Sequence, residues 1–288
     1  TSKTYTFTYT GRSGVNGTTW FTLKANAVKD TSNNGNEVTW PSTAIEVDNS
    51  APSVPNMNPI TPSCNSGTSI TVSSTTVSDV WCADRVEYQF CMMSGVNSTT
   101  KCASNSSIWS DTASATFNNL SNGTTYYFFV RTRDGLWNIS SWSSSVSYTV
   151  DTTAPTTTAT ISPSNWSCTS GNVTVSFSAW TNGCNSDNTT YYCTWANNCT
   201  LNKTWNSVTF SANIWGIRTW YVRYRSIDGL GNTESIKSTW MIYIDRAGPT
   251  GTIGVANSCY TGTTIPLKLN ASDVGCSTVS GMRFSCES

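Results

Sequence analysis

The sequence contains no histidine, and charged side chains are scarce along it. Lys and Arg together number 16, and Asp and Glu also number 16, so the formal net charge is zero. Without histidine the chain has no Ser-His-Asp or Cys-His arrangement for nucleophilic catalysis and no histidine ligand for a metal. Because the charges are balanced and form no Lys/Arg cluster, we expect no binding to nucleic acid or to an anionic membrane surface.

Long apolar runs are missing too. The longest is a few residues, well short of the ~20 that span a bilayer, so we expect no membrane span. No signal peptide opens the chain, and its first residues already follow a strand-like pattern. We therefore expect a stretch of a longer, continuous polypeptide. Ser, Thr and Asn fill 120 of the 288 positions and 11 cysteines accompany them, a composition typical of an oxidising, extracellular setting.

An internal repeat decides the architecture. The segments VDNSAP, VDTTAP and IDRAGP are similar, and their aspartates, Asp48, Asp151 and Asp245, are 103 and 94 residues apart. A second set recurs with them: NGTTWFTLKANAVKD, NGTTYYFFVRTRDG and RTWYVRYRSIDG. Periods of this length are too long for solenoid repeats and indicate whole small domains in tandem.

Within one period, segments rich in Thr, Val, Tyr and Phe alternate with period two, as β-strands do. In the middle repeat we predict strands near 156–161, 172–178, 189–193, 199–203, 207–211, 219–227 and 238–244. Seven short strands without a helical stripe indicate an all-β chain of antiparallel, immunoglobulin-like sandwiches. The predicted domains are a C-terminal half at 1–47, complete sandwiches at 48–150 and 151–244, and an N-terminal half at 245–288.

The segment VDTTAPT, followed by a sandwich pattern containing YRSIDGLGN, resembles the tandem bacterial immunoglobulin-like or fibronectin type III-like repeats of large surface and secreted proteins. The YYCTWANNCT hairpin is similar to a cysteine-bearing subset of such repeats. The resemblance covers the whole chain and identifies a class of repeat. It implies an extracellular stalk, adhesin or fibre of head-to-tail domains. The extra cysteines, and DRAGPT at the third linker, depart from the pattern.

Four cysteines recur in the same order in each complete repeat. They are Cys64, Cys82, Cys91 and Cys102, then Cys168, Cys184, Cys193 and Cys199, and the series restarts with Cys259, Cys276 and Cys286. The third and fourth members flank the hairpin that follows the third strand. We therefore expect Cys91–Cys102 and Cys193–Cys199 to close it as disulfides.

The first and second cysteines leave two pairings open. Roughly eight residues of strand would place them ~25 Å apart at opposite poles, too far for a disulfide within one domain. In a head-to-tail string the first cysteine of one repeat would then meet the second of the next, giving Cys64–Cys184 and Cys168–Cys276. A shorter or bent second strand would instead allow the local pairs Cys64–Cys82 and Cys168–Cys184.

Nine of the 11 aspartates fall on three places that recur in each repeat. They are the linkers (Asp48, Asp151, Asp245), the loop between the sixth and seventh strands (Asp30, Asp134, Asp228) and the loop between the second and third strands (Asp79, Asp187, Asp273). These places share one pole of an immunoglobulin-like sandwich. The predicted clusters are Asp48 with Asp79 and Asp134, and Asp151 with Asp187 and Asp228. Gathered carboxylates suit Ca²⁺; alternatively, the aspartates serve turns through Asx-type hydrogen bonds.

Tryptophans and glycosylation sequons are abundant. Exposed tryptophans would support carbohydrate binding, but the repeat-equivalent ones are expected to pack, namely Trp40, Trp142 and Trp240, and Trp109 and Trp205. The less regular ones are candidates for exposed contacts: Trp81, Trp137, Trp166, Trp195 and Trp215. The Asn-x-Ser/Thr sequons are little more frequent than composition predicts, and the glycosylation candidates among them are Asn16, Asn122, Asn172 and Asn202.

No constellation for catalysis stands out, since most acids recur in every repeat rather than forming one active site, and the chain is predicted not to be an enzyme. The leading hypothesis is a structural segment of a long, disulfide-stiffened extracellular filament or surface stalk. Its partners would be other repeats of the same polypeptide and lateral copies of itself. The second hypothesis is an adhesin module that binds a glycan or a cell surface. Its recognition loops would be those that differ between repeats, 94–101 against 194–198 and 137–141 against 230–235.

Overall fold

The computed structural model describes residues 6, 16–37, 44–80, 85–164, 168–194, 198–211, 217–255 and 258–283. The protein is all-β: these residues form strands, turns and bends, and no helix. The described part therefore holds no helix that is long and apolar enough for a membrane crossing. The chain divides into two compact units, Thr1–Asp151 and Thr152–Ser288.

The first unit contains eight described strands. They are β1 (Gly17–Thr19), β2 (Ile45–Val47), β3 (Cys64–Asn65), β4 (Ile70–Ser73), β5 (Glu87–Ser94), β6 (Ser114–Phe117), β7 (Thr125–Arg133) and β8 (Val146–Val150). β1 pairs with β2, β4 pairs with β6, and the order β3-β8-β7-β5 makes a four-stranded sheet. The short β3 runs parallel to β8, which places Cys64 beside the strand that leaves the sandwich.

The core of the first sandwich follows from the period-two pattern of its strands. Val72 of β4, Phe90 of β5 and Phe128 and Val130 of β7 are almost completely buried in one cluster. Phe117 of β6 packs against Phe128 with their ring centroids 5.2 Å apart. The two sheets are therefore held together by large apolar side chains, as the sequence pattern predicts.

The second unit contains the other described strands. They are β9 (Thr156–Ser162), β10 (Val173–Trp180), β11 (Asn188–Thr194), β12 (Lys203–Thr204), β13 (Ser207–Phe210), β14 (Ile217–Trp220), β15 (Val222–Asp228), β16 (Lys237–Ser238), β17 (Ile242–Asp245), β18 (Thr250–Val255) and β19 (Leu267–Ser272). The sheets are β13-β10-β9, β12-β11-β15-β16, β14-β17 and β18-β19. The predicted sixth strand is split at Tyr221, because β14 pairs with β17 whereas β15 pairs with β11.

The core of the second sandwich repeats that of the first. Val173, Val175 and Phe177 of β10 face Tyr224 of β15 and Ile242 of β17 in one buried cluster. The β18–β19 pair that follows has every residue of β18 exposed to solvent. Each complete sandwich therefore has a core of its own.

Candidate functional site

Each complete sandwich has one disulfide that closes a hairpin. Cys91 in β5 is joined to Cys102, with the Cα atoms 5.3 Å apart, and Cys193 in β11 is joined to Cys199, at 6.0 Å. Cys91 and Cys102 are fully buried and pack with Phe129. These are the two pairs that the sequence analysis expects, although the loops they close differ in length.

A third disulfide joins Cys168 to Cys276, with the Cα atoms 5.5 Å apart and a sequence separation of 108. Cys168 follows β9 of the second sandwich, and Cys276 follows β19 of the next repeat. The local alternative Cys168–Cys184 is therefore wrong. The neighbouring Thr169 forms a parallel bridge to Ile244 at the end of the last strand of the sandwich. This bridge puts Cys168 at the pole from which the chain leaves, so it can reach the following repeat.

The other cysteines have different states. Cys64 and Cys184 are both disulfide-bonded, and the pairing Cys64–Cys184 stays a prediction. Cys259 is an exposed free thiol. Cys82 and Cys286 lie outside the described residues.

The linker residue Asp245 is enclosed by the loop that carries Cys276. Its Oδ1 accepts a hydrogen bond from the Ala247 N–H, and its Oδ2 accepts from the Cys276 N–H and from both the N–H and the hydroxyl of Ser277. Burial alone would raise the pKa of Asp245, but these hydrogen bonds together hold it below its ordinary value. A side chain at Gly275 would overlap the Asp245 carboxylate, so the glycine permits this close wrapping.

The predicted cluster of Asp48, Asp79 and Asp134 is brought together in the first unit. One carboxylate oxygen of each residue lies within 4.8 Å of the others. Asp48 and Asp134 are buried, with 7% and 2% of their surfaces exposed. Asp48 follows β2, Asp79 lies in the loop between β4 and β5, and Asp134 follows β7, so three separate segments meet at one pole of the sandwich.

The second predicted cluster requires a correction. Asp187 is exposed, and neither it nor Asp228 belongs to any group of acids that could share an ion among the described residues. The reason is visible in the sequence: Asp79 and Asp273 stand three residues before a cysteine, whereas Asp187 stands three residues after Cys184. Asp151 is buried, and its N–H donates to the Asn65 carbonyl of its own unit.

The aspartates of the loop between the sixth and seventh strands share a motif that the sequence analysis missed. Asp228 Oδ1 accepts from the Leu230 and Asn232 N–H groups, and its Oδ2 accepts from the side-chain amide of Asn232. Asp30 and Asp134 accept the same bonds within their own loops. The signal is an asparagine four residues after each aspartate: Asn34, Asn138 and Asn232. The turn hydrogen bonds of the Asx-type alternative are therefore present at all three aspartates.

Tryptophan and arginine side chains alternate on the outer face of the first sandwich. The Arg133 guanidinium carbon lies 4.0 Å from the centroid of the Trp137 ring and 4.5 Å from that of Trp109. The Arg131 guanidinium stacks on Trp142 at 4.5 Å, and Arg131 also donates to the Gln89 side-chain oxygen. These rings gain cation–π attraction and cover the stems of the arginines.

The expectation that the equivalent tryptophans pack in the second sandwich is wrong. Trp205 is 70% exposed and Trp240 is 80% exposed. Ile227 occupies the position of Arg133, so Trp205 lacks the guanidinium on which its counterpart Trp109 stacks, whereas Arg225 keeps the position of Arg131. Trp40, Trp81, Trp166, Trp195 and Trp215 lie outside the described residues.

A buried carboxylate, Glu234, was not singled out by the sequence analysis. It is 6% exposed; its Oε1 accepts from the Thr157 N–H, and its Oε2 accepts from the Ser226 N–H and the Thr157 hydroxyl. Lys237 forms an ion pair with it. Burial alone would raise the pKa of Glu234, but the bonds from Lys237, Thr157 and Ser226 together lower it below its ordinary value. Glu234 therefore ties β9 of one sheet to β15 of the other.

The four sequon asparagines differ in exposure. Asn122, Asn172 and Asn202 are exposed, whereas Asn16 is half-buried. The side-chain oxygen of Asn16 accepts a hydrogen bond from the Asn49 N–H, so a glycan on Asn16 would compete with this contact.

No protein-family model matches the chain, and no curated protein matches it either. Among solved structures, the fold is similar to the chicken CNTN1 FN1–FN3 domains. The identity is 13%, 75% of this chain and 72% of that chain are covered, and the TM-score is 0.32. It is also similar to the CbhA fibronectin(III)-like modules of Clostridium thermocellum, with 12% identity, 66% and 94% coverage and a TM-score of 0.31. The assignment to β-sandwiches rests on the strands and cores described above.

Proposed function

We propose that this chain is a structural segment of an extracellular array in which successive β-sandwich domains are joined by disulfides. The Cys168–Cys276 disulfide carries the proposal. It adds a second covalent connection to the peptide linker between β17 and β18. A domain held at two points loses most of the hinge freedom that a single short linker leaves.

The contacts of Asp245 support the same function. Its buried carboxylate accepts hydrogen bonds from Cys276 and Ser277 of the next repeat, so polar contacts reinforce the disulfide on the linker side. Cys64 and Cys184 hold positions equivalent to Cys168 and Cys276, and we extend the same pairing to them. A stiff filament or surface stalk is the arrangement that such linked domains would build.

Limited trypsin cleavage tests this proposal, because the exposed Arg246 lies within the linker. After cleavage at Arg246, the two fragments should stay together on a non-reducing gel and separate on reduction. In the double variant Cys168→Ser/Cys276→Ser the fragments should separate without reductant, and cleavage at Arg246 should be several-fold faster. The matched control Cys193→Ser/Cys199→Ser removes a disulfide within one sandwich and should behave like the wild type. Separation of the wild-type fragments without reductant would refute the interdomain link.

The adhesin hypothesis rests on a different observation, the exposed rings of Trp137, Trp205 and Trp240. Exposed aromatic rings can stack on sugars. A glycan array separates the two functions: saturable binding to defined sugars, lost in Trp205→Ala or Trp240→Ala, would favour the adhesin. A protein that binds no sugar but self-associates laterally would favour the filament.

A further inference from the structure

Two of the three clustered acids at the first linker, Asp48 and Asp79, each have a buried carboxylate oxygen without a hydrogen-bond donor, and the third is Asp134. Asp48 Oδ1 accepts from the Ser50 N–H, but its Oδ2 is buried and accepts no hydrogen bond within the described residues. Asp79 Oδ2 is also buried and without a partner there. No ion pair to any of the three acids is present in the described part of the chain. Buried carboxylate oxygens without donors are costly, so an additional group is needed to satisfy them.

The three acids are close enough to share one cation. One oxygen from each lies within 4.8 Å of the other two, and Asp48, which is more than nine-tenths buried, contributes a carboxylate whose Oδ2 has no hydrogen-bond donor. Asp134 is fixed by the Leu136 and Asn138 N–H groups and by the Asn138 amide, so its carboxylate is already oriented. Three like charges at this separation repel one another unless a positive ion lies among them.

We propose that Asp48, Asp79 and Asp134 bind one calcium ion. The donors are all carboxylate oxygens, which suit a hard cation and not zinc. Ca²⁺ accepts six to eight oxygen ligands in flexible geometry, so carbonyls and water can complete the shell. Mg²⁺ requires a tighter octahedron and dehydrates reluctantly, so it should bind less well. The ion would join the residue that begins the first complete sandwich to two of its loops.

The linker residue Asp245 shows why the site is specific to the first linker. Asp245 Oδ2 already accepts from the Cys276 and Ser277 N–H groups, and the single proton of the Ser277 hydroxyl is shared between the Asp245 and Asp273 carboxylates. The sequences SDVWCA and SDVGCS are equivalent, so the first repeat has Trp81 in place of Gly275 and Ala83 in place of Ser277. Alanine supplies no hydroxyl donor, and only glycine permits the close wrapping seen at Asp245. We therefore expect one calcium ion per chain.

Isothermal titration calorimetry and thermal unfolding of the EDTA-treated, oxidised protein test the site. Titration with CaCl₂ to about 5 mM should give one binding event of sub-millimolar to millimolar affinity. It should raise the melting temperature of the first sandwich by about 4 °C or more. MgCl₂ at the same concentration should give a smaller shift. No calorimetric signal and no shift with CaCl₂ would overturn the proposal, and two ions per chain would overturn its restriction to the first linker.

Asp79→Asn is the most informative variant, because Asp79 Oδ2 makes no hydrogen bond that the change would remove. It should unfold at a higher temperature than the wild type in EDTA, since one of three repelling charges is gone, and it should lose the response to calcium. The control Asp273→Asn, at the equivalent position of the third repeat, should keep the full response. A response retained in Asp79→Asn, or lost in Asp273→Asn, would contradict the site. If Asp79→Asn does not fold, terbium luminescence of the wild type tests the same site. The luminescence should be sensitised by Trp137 and should decrease when calcium is added, and no such signal would contradict the site.

Discussion

In the two complete sandwiches, an equivalent backbone N–H donates to side chains of different chemistry. Six residues after the loop aspartate, the first sandwich has Ser140 and the second has Glu234. The Ser140 hydroxyl accepts a hydrogen bond from the Thr132 N–H at 3.0 Å, and Glu234 accepts one from the Ser226 N–H at 3.0 Å. The backbone donor is equivalent, but a neutral hydroxyl receives it in one domain and a buried carboxylate in the other.

The difference follows from the segment that begins each sandwich. The first sandwich starts with APSVPNMNPITP, where Val54, which is 40% exposed and has no hydroxyl, holds the position of Thr157, and this stretch forms one isolated bridge, between Met57 and Ser74. The second starts with APTTTATIS, which forms β9, and the Thr157 N–H at its beginning needs an acceptor. Glu234 supplies that acceptor and still has an oxygen for Ser226. The buried carboxylate of the loop therefore occurs in the sandwich that begins with a regular strand.

Replacement of Glu234 by alanine should produce the largest difference in stability between the two sandwiches. The change leaves the N–H groups of Thr157 and Ser226 without acceptors and removes the partner of Lys237. We expect the free energy of opening of β9 and β15 to fall by about 3 kcal/mol. Hydrogen-exchange mass spectrometry of peptides from each sandwich measures this directly.

The matched change Ser140→Ala removes one neutral acceptor in the first sandwich. We expect it to cost about 1 kcal/mol, with the loss confined to peptides from β7 and its neighbours. If the two variants cost the same, the carboxylate adds nothing to the neutral contact, and the distinction between the two sandwiches fails.

Low pH should affect the stability of the two sandwiches differently. The pKa of Glu234 is lower in the folded protein than its ordinary value, so the folded state favours the ionised form. Its stabilising contribution is therefore present above the unfolded pKa of about 4.3 and is lost as the pH falls through the lower folded pKa. Asp245, whose pKa is also lowered, acts in the same direction.

Scanning calorimetry from neutral pH to about pH 3 checks this with the variant Glu234→Gln, which cannot ionise. The wild type should be more stable than the variant at neutral pH, and this difference in stability should decrease on acidification. A gap that stays constant would show that Glu234 does not titrate with unfolding.

The sequence predicts most strands of the middle repeat and the hairpin disulfides, because both follow from local spacing, but the strand predicted at 199–203 is reduced to β12 and the one predicted at 238–244 is divided into β16 and β17. The predicted strands 156–161 and 189–193 correspond to β9 and β11 within a residue or two. The hairpin disulfides Cys91–Cys102 and Cys193–Cys199 could be predicted from the order of the cysteines along the chain alone. The pairing of the first and second cysteines stayed open, because it depends on how far the chain travels between the poles of a sandwich.

The buried polar contacts were harder to predict, since they depend on which groups meet across the fold. Asp134 and Asp228 carry the same Asp-x-x-x-Asn loop, yet only Asp134 has two further acids beside it. Glu234 is a single acid in a loop and gave no periodic signal. Trp142 and Trp240 are equivalent in sequence, yet Trp142 stacks on Arg131 and Trp240 is 80% exposed.

The smallest expected effect concerns these two tryptophans. Trp142 stacks on Arg131 and packs beside the buried Cys91–Cys102 disulfide, so Trp142→Ala should lower the stability of the first sandwich by about 1 kcal/mol. Trp240 is 80% exposed, and Trp240→Ala should change the stability of the second sandwich by less than about 0.5 kcal/mol. Urea unfolding of both variants measures the difference. A larger loss for Trp240→Ala that grows with protein concentration would mean that its ring is covered by another copy of the chain. That result would turn the exposed ring from a candidate sugar contact into part of a lateral interface.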